Sequence, residues 1–151
     1  MIMLSMLSCN KENQDNIKTD IQISYIDKDG NDMLNPLGLN TVKEADIDLY
    51  YLKDGIKTRV YDGNMDNPEN FKIGYSETQH IYLITIFINE FYDANKISET
   101  YIEFGDRSDT IKASWYANKS RSNIYYLNVW YNNELKISDG VPIGLFQVIL
   151  E

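Results

Sequence analysis

The chain has 151 residues, with 23 acidic and 14 basic side chains and a formal net charge of −9 at pH 7. That length suits one domain. That charge argues against nucleic acid and against electrostatic docking on anionic lipid, because both need a field of opposite sign. One Cys and one His exclude an internal disulfide framework and a multi-His zinc site.

In chain order, the first feature is an apolar stretch. Six of the eight residues before Cys9 are apolar and none is charged, and a polar, ionic stretch from Asn10 to Asp20 follows. Met6-Leu7-Ser8-Cys9 resembles the lipobox of bacterial lipoproteins. That resemblance implies cleavage before Cys9 and acylation of its thiol. Asn10-Lys11-Glu12 resembles the export signal that Bacteroidetes lipoproteins carry just after the acylated Cys. It implies display at the outer membrane or cell surface. The basic opening of a signal peptide is missing, as expected if the start codon lies downstream of the true one. Residues 1–8 therefore read as a residual signal peptide, 9–19 as the lipidated Cys and a flexible tether, and 20–151 as one domain.

From residue 20 the apolar period is two. Ile21, Ile23 and Tyr25 alternate with polar residues up to Asp27-Lys28-Asp29-Gly30. Ile47, Leu49 and Tyr51 alternate likewise, and Asp54-Gly55 predicts a tight hairpin of type I′. Its register would pair Lys53 with Ile56, Tyr51 with Thr58, Tyr50 with Arg59 and Leu49 with Val60. Leu49 and Val60 then face the core, and Arg59 lies on the solvated face, able to lie over a Tyr ring. His80 to Ile88 is almost continuously apolar and β-branched, which predicts a central strand covered on both faces. Further strands are expected over Tyr101–Phe104, Thr110–Tyr116, Ile124–Tyr131 and Leu145–Leu150, with a second hairpin at Asn132-Asn133. Helix is expected only as a turn over Val42–Asp46 and one or two turns within Glu90–Thr100. The predicted fold is all-β: an antiparallel β-sandwich, immunoglobulin-like or related, of about seven to ten strands.

Asp27-Lys28-Asp29-Gly30-Asn31-Asp32 opens like an EF-hand loop. Asp32 stands where that loop needs Gly, however, and Gly38 where it needs the bidentate Glu. Asp27, Asp29, Asn31 and Asp32 remain as a weak calcium candidate, and the competing reading is a wet hairpin turn. No cofactor is expected. His80 has no second His and no G-x-S-x-G near it. Glu90, Asp93, Glu99 and Glu103 could supply a carboxylate pair for a hydrolase, but they read more simply as a solvated face. Twelve of the 19 aromatic residues are Tyr. Tyr50, Tyr61, Tyr92, Tyr116 and Tyr126 are the candidates for exposed rings that stack on a ligand.

Asp29 to Pro36 (DGNDMLNP), followed by Asp48-Leu49-Tyr50-Tyr51-Leu52 and by Val129 to Leu135 (VWYNNEL), resembles small Bacteroidetes lipoproteins of unassigned function. The resemblance implies a secreted β-rich domain and brings no catalytic residues. The expected function is a non-catalytic binding or interaction module, held to a membrane through Cys9 alone. Its partner would be protein or, in the alternative, glycan bound by exposed Tyr and Trp. A small carboxylate hydrolase is the third class.

Overall fold

The computed structural model describes residues 16–151. The signal-like segment, Cys9 and most of the expected tether lie outside the described residues. Among the described residues there are twelve strands, with one short 3-10 turn at Glu44–Asp46. They are β1 (Asn16–Lys18), β2 (Asp20–Asp27), β3 (Ile47–Lys53), β4 (Ile56–Arg59), β5 (Phe71–Ser76) and β6 (Ile81–Phe87). β7 (Ile97–Phe104), β8 (Arg107–Ala117), β9 (Asn123–Tyr131), β10 (Glu134–Ser138), β11 (Val141–Pro142) and β12 (Gln147–Leu150) complete them. Ten have four residues or more. β1 and β11 are shorter additions beyond the expected range.

One sheet runs β11-β10-β9-β8-β7-β3-β4, with β1 beside β9. The other runs β12-β2-β6-β5. Neighbours are antiparallel, except that β1 joins β9 and β12 joins β2 in parallel. Alternation puts Ile21, Ile23, Tyr25, Ile84 and Ile86 of the small sheet against Leu49, Ile102, Ile111, Trp115 and Val129 of the large one. These side chains share a single buried cluster. The fold is an all-β, sandwich-like pairing of two open sheets.

The Asp54-Gly55 hairpin has the expected register, Tyr50 opposite Arg59 and Lys53 opposite Ile56. Asp54 and Gly55 both have positive φ, +50° and +78°, as a type I′ turn requires. Asn132 and Asn133 turn β9 into β10 in the same way, at φ +47° and +71°. Arg59 does not lie over a Tyr ring. It reaches Asp48 at 2.6 Å, and Lys57 takes the ring position, 4.8 Å from Tyr50 and 4.7 Å from Tyr101.

The structure corrects the sequence reading at four further places. Residues 16–18, assigned to the tether, pair with β9. Phe71–Ser76 is a strand, carrying the alternation Phe71, Ile73, Tyr75. Glu90–Thr100 holds no helix. The Asp93 carboxylate accepts from the N–H groups of Asn95 and Ile97, at 2.8 and 3.0 Å, and closes a turn in its place. Finally Tyr126, expected outside, is buried at 4% exposure. A bulge between Ser114 and Trp115 shifts the β8–β9 register. Ile124 and Tyr126 point inward before it and Val129 and Tyr131 after it, so strict alternation fails across Leu127 and Asn128.

Two buried polar networks fix the interior. Tyr25 and Tyr131 share a hydroxyl hydrogen bond of 3.0 Å across the sheets. Tyr131 donates to buried Asp109, whose carboxylate also accepts from Asn132 at 2.6 Å and from Arg107. Burial pushes the Tyr25 and Tyr131 phenols well above their ordinary range. The second network centres on Asn89, which is fully buried. Its side chain donates to the carbonyls of Leu52 (2.8 Å) and Glu99 (3.1 Å) and accepts from Phe91 N–H at 3.0 Å. No buried side-chain polar atom among the described residues lacks a partner.

Candidate functional site

The chain between β2 and β3 builds the most distinctive surface. The turn after β2 is tied down by its own acids. Asp27 accepts from the N–H groups of Asp29 (2.9 Å) and Asn31 (2.8 Å), and from the Asn31 amide at 2.7 Å. These bonds hold the Asp27 carboxyl below its usual range. Asp32 reaches across to the N–H of Tyr82 in β6 at 2.8 Å, and also takes the Leu34 N–H at 3.0 Å. Asp27 and Asp32 thus point at N–H donors rather than at a common centre. Asp29 is exposed, and Asn31 is spent on Asp27. Among the described residues, no three His, Cys, Asp or Glu side chains gather as a metal-binding group.

Past this anchor, Leu34 is buried and Val42 returns to bond the Met33 carbonyl at 2.8 Å. The residues between them bulge outward. Asn35 caps the bulge, accepting from Leu37 N–H at 3.0 Å through its side chain and from Gly38 N–H at 3.0 Å through its carbonyl. Gly38 packs so tightly that a Cβ there would meet the Thr41 methyl at 2.5 Å. This turn holds Leu37 and Leu39 out in solvent, each 91% exposed. Beside them lies an open groove of about 710 Å³. Its apolar lining comes from Leu34, Pro36 and Val42 of the loop and from Ile73 and Tyr82 of β5 and β6. Lys43, Glu44, Asn40 and Thr41 supply the polar part. That volume lies within the range of ligand clefts.

The aromatic candidates do not converge. Tyr50 is half-buried on the outer face of the large sheet, with Lys57 over its ring. Tyr116 shares that face and stacks on Tyr125 at 4.9 Å. It stands six residues along β8 from Thr110, roughly 20 Å from the Tyr50 row at strand spacing. Tyr92 lies in the β6–β7 loop, its ring covered by Lys96 at 4.3 Å and Arg121 at 5.4 Å. Tyr61 is exposed on the loop after β4. Tyr126 is inside, edge-on to Trp115, with its phenol pushed up to about 12 by burial.

The acidic candidates are likewise dispersed. Glu99 and Glu103 lie on the outer face of β7 and pair with Lys112 and Lys57. Glu90 sits 3.9 Å from Arg121, and Asp93 closes its own turn. His80 is an exposed turn residue at φ +53°.

Sequence reading missed the groove. Its signal was Leu37-Gly38-Leu39, two leucines set between Pro36 and Asn40 where neither helix nor strand can bury them. The chain matches no protein-family model, no curated protein and no solved structure.

Proposed function

We propose that this protein is a non-catalytic binding module of the bacterial envelope. In this reading acyl chains on Cys9 tether it, and it docks an apolar segment of a partner protein in the groove beside Leu37 and Leu39. The observation that carries the reading is the exposure of those two leucines next to an apolar-lined groove. Leaving a Leu side chain in water forgoes about 1.5–3 kcal/mol of burial. A turn built by Asn35 and Gly38 to keep two of them there is best explained by a partner that covers them. A partner of positive charge fits the net charge of −9, which steers cations. Two features favour protein over glycan. Three candidate stacking rings, Tyr50, Tyr92 and Tyr126, have Lys or Arg over them, and Tyr126 is buried besides. A hydrolase is disfavoured because its candidate acids are engaged in ion pairs or turns.

The test is a selection of random peptides displayed on phage against the full chain, run beside a glycan array. Supporting results are apolar, basic peptides whose binding is lost in Leu37→Ser/Leu39→Ser while the circular dichroism is unchanged. Glycan binding that survives this double variant would overturn the groove reading, as would peptide binding indifferent to it. Metabolic labelling with a clickable palmitate in a Bacteroidetes host checks the tether. Label is expected on the wild type and absent from Cys9→Ser, and equal labelling of both refutes it.

A further inference from the structure

We infer that the end of the sandwich bearing Ile56, Phe91 and Lys53 is a membrane-facing surface that rests on the lipid headgroup interface. The inference deepens the proposed function and rests on its tether. Asn16 donates to the Ser122 carbonyl at 2.9 Å, and β1 runs parallel to the start of β9. The segment leading back to Cys9 therefore leaves beside the β8–β9 turn. The tip of the β3–β4 hairpin and the β6–β7 loop lie at the same end. Phe91 and Tyr92, the cations Lys53 and Arg121, and the acids Asp54, Glu90, Asp93 and Glu99 line one depression of about 580 Å³ there.

Reach selects this end. Six residues lie between Cys9 and Asn16, a path of seven Cα steps. Fully extended they span at most roughly 25 Å. β8 alone has 11 residues and so runs roughly 36 Å along the sandwich. An acylated Cys9 holds this end near the bilayer and leaves the Leu37 turn away from it.

The chemistry of the end suits the interface. Ile56 at the hairpin tip and Phe91 in the loop are 67% and 54% exposed. Lys53 holds its ammonium 4.2 Å from the centre of the Phe91 ring, and Arg121 and Lys96 flank Tyr92. Apolar bodies with cationic heads are the side chains that enter an interface while the charge stays among phosphates. The local charge also departs from the whole. The hairpin tip, the two loops and the depression between them carry Lys53, Lys96, Lys119 and Arg121 against Asp54, Glu90, Asp93 and Glu99, an even balance within a chain of net charge −9. This end therefore adds little local repulsion from an anionic surface.

The experiment uses the full chain. Cys9 is its only thiol, so a maleimide-bearing phosphatidylethanolamine in phosphatidylcholine vesicles with brominated acyl chains captures it at one point. Bromine quenches tryptophan at the interface. Phe91→Trp should lose more emission than the wild type on capture, and Leu37→Trp should not. Adding Ile56→Asp and Lys53→Glu to Phe91→Trp should abolish the extra loss. Quenching of Phe91→Trp no greater than that of the wild type overturns the inference, as does equal quenching at both ends. Chemical capture replaces the biological lipid. Failure of palmitate labelling therefore removes the tether while this measurement still reports whether the surface seeks lipid.

Discussion

Asn89 offers the sharpest test of how the interior is held. Asn89→Ala removes three side-chain hydrogen bonds and strands the carbonyls of Leu52 and Glu99 and the N–H of Phe91. At about 0.5–1.5 kcal/mol per bond, with more for each buried group left unpaired, the loss should be about 2–4 kcal/mol. Asn89→Asp keeps the shape but turns the donor into an acceptor facing two carbonyl oxygens. Burial and those oxygens disfavour the charged form, so the folded pKa of the new carboxyl rises above its unfolded value of about 3.9. The folded state then binds more protons than the unfolded one. Stability relative to wild type should fall as pH rises from the unfolded value through the folded one, at about 1.4 kcal/mol per unit. Urea titrations between pH 4 and pH 8 can follow Trp115, whose indole N–H donates to Ser98 within the same network. A cost below about 1 kcal/mol for Asn89→Ala, or a pH-independent difference for Asn89→Asp, would refute the argument.

Three other outcomes are expected. Leu49→Ala, at a site 1% exposed, should cost about 2–5 kcal/mol in the same titration, whereas Arg59→Ala on the solvated face should cost under about 1 kcal/mol. A reversed order would contradict the hairpin register. Burial pushes the Tyr51 phenol up to about 12, so stability should fall as pH rises from the unfolded value of about 10 towards that value. Phenolate absorbance should show this as a late ionising step that moves down on unfolding. Calcium titration of the chelator-treated chain should show no micromolar site, because Asp27 and Asp32 face N–H groups. A saturable isotherm lost in Asp27→Asn/Asp29→Asn would show that the turn opens to the ion.

The fold class was legible because its two signals are local. Alternation marks strands such as β3 and β8, and Asp54-Gly55 and Asn132-Asn133 carry the backbone angles that set hairpin register. Sheet order was not legible, since β2 meets β6 and β12 through contacts distant in sequence. Tyr126 was misplaced because the bulge that turns it inward is a property of the β8–β9 pair, and neither strand shows it alone. Phe71–Ser76 was overlooked although Phe71, Ile73 and Tyr75 alternate, with Gly74 breaking up the strand signal. Of the candidate site, the backbone N–H groups that Asp27 and Asp32 accept from were not legible, because the Tyr82 N–H lies fifty residues from Asp32. The groove escaped because its walls come from three separate segments, and the exposed pair Leu37 and Leu39 reads in sequence like any other apolar residues.

The parallel seat of β12 beside β2 bears on when the chain can fold. Ser24 and Gln147 are opposed across that pair, and the Ser24 N–H bonds the carbonyl of Phe146 at 3.0 Å. β2 also awaits β6, some sixty residues on. A chain emerging amino-terminus first therefore exposes Ile21, Ile23 and Tyr25 until almost the whole polypeptide is available. The small sheet cannot close around a partial product, and pairing across such separations is slow. The hairpins β3–β4 and β7–β8 can form early from neighbouring segments, whereas the edge of the small sheet stays open until Gln147–Leu150 arrives.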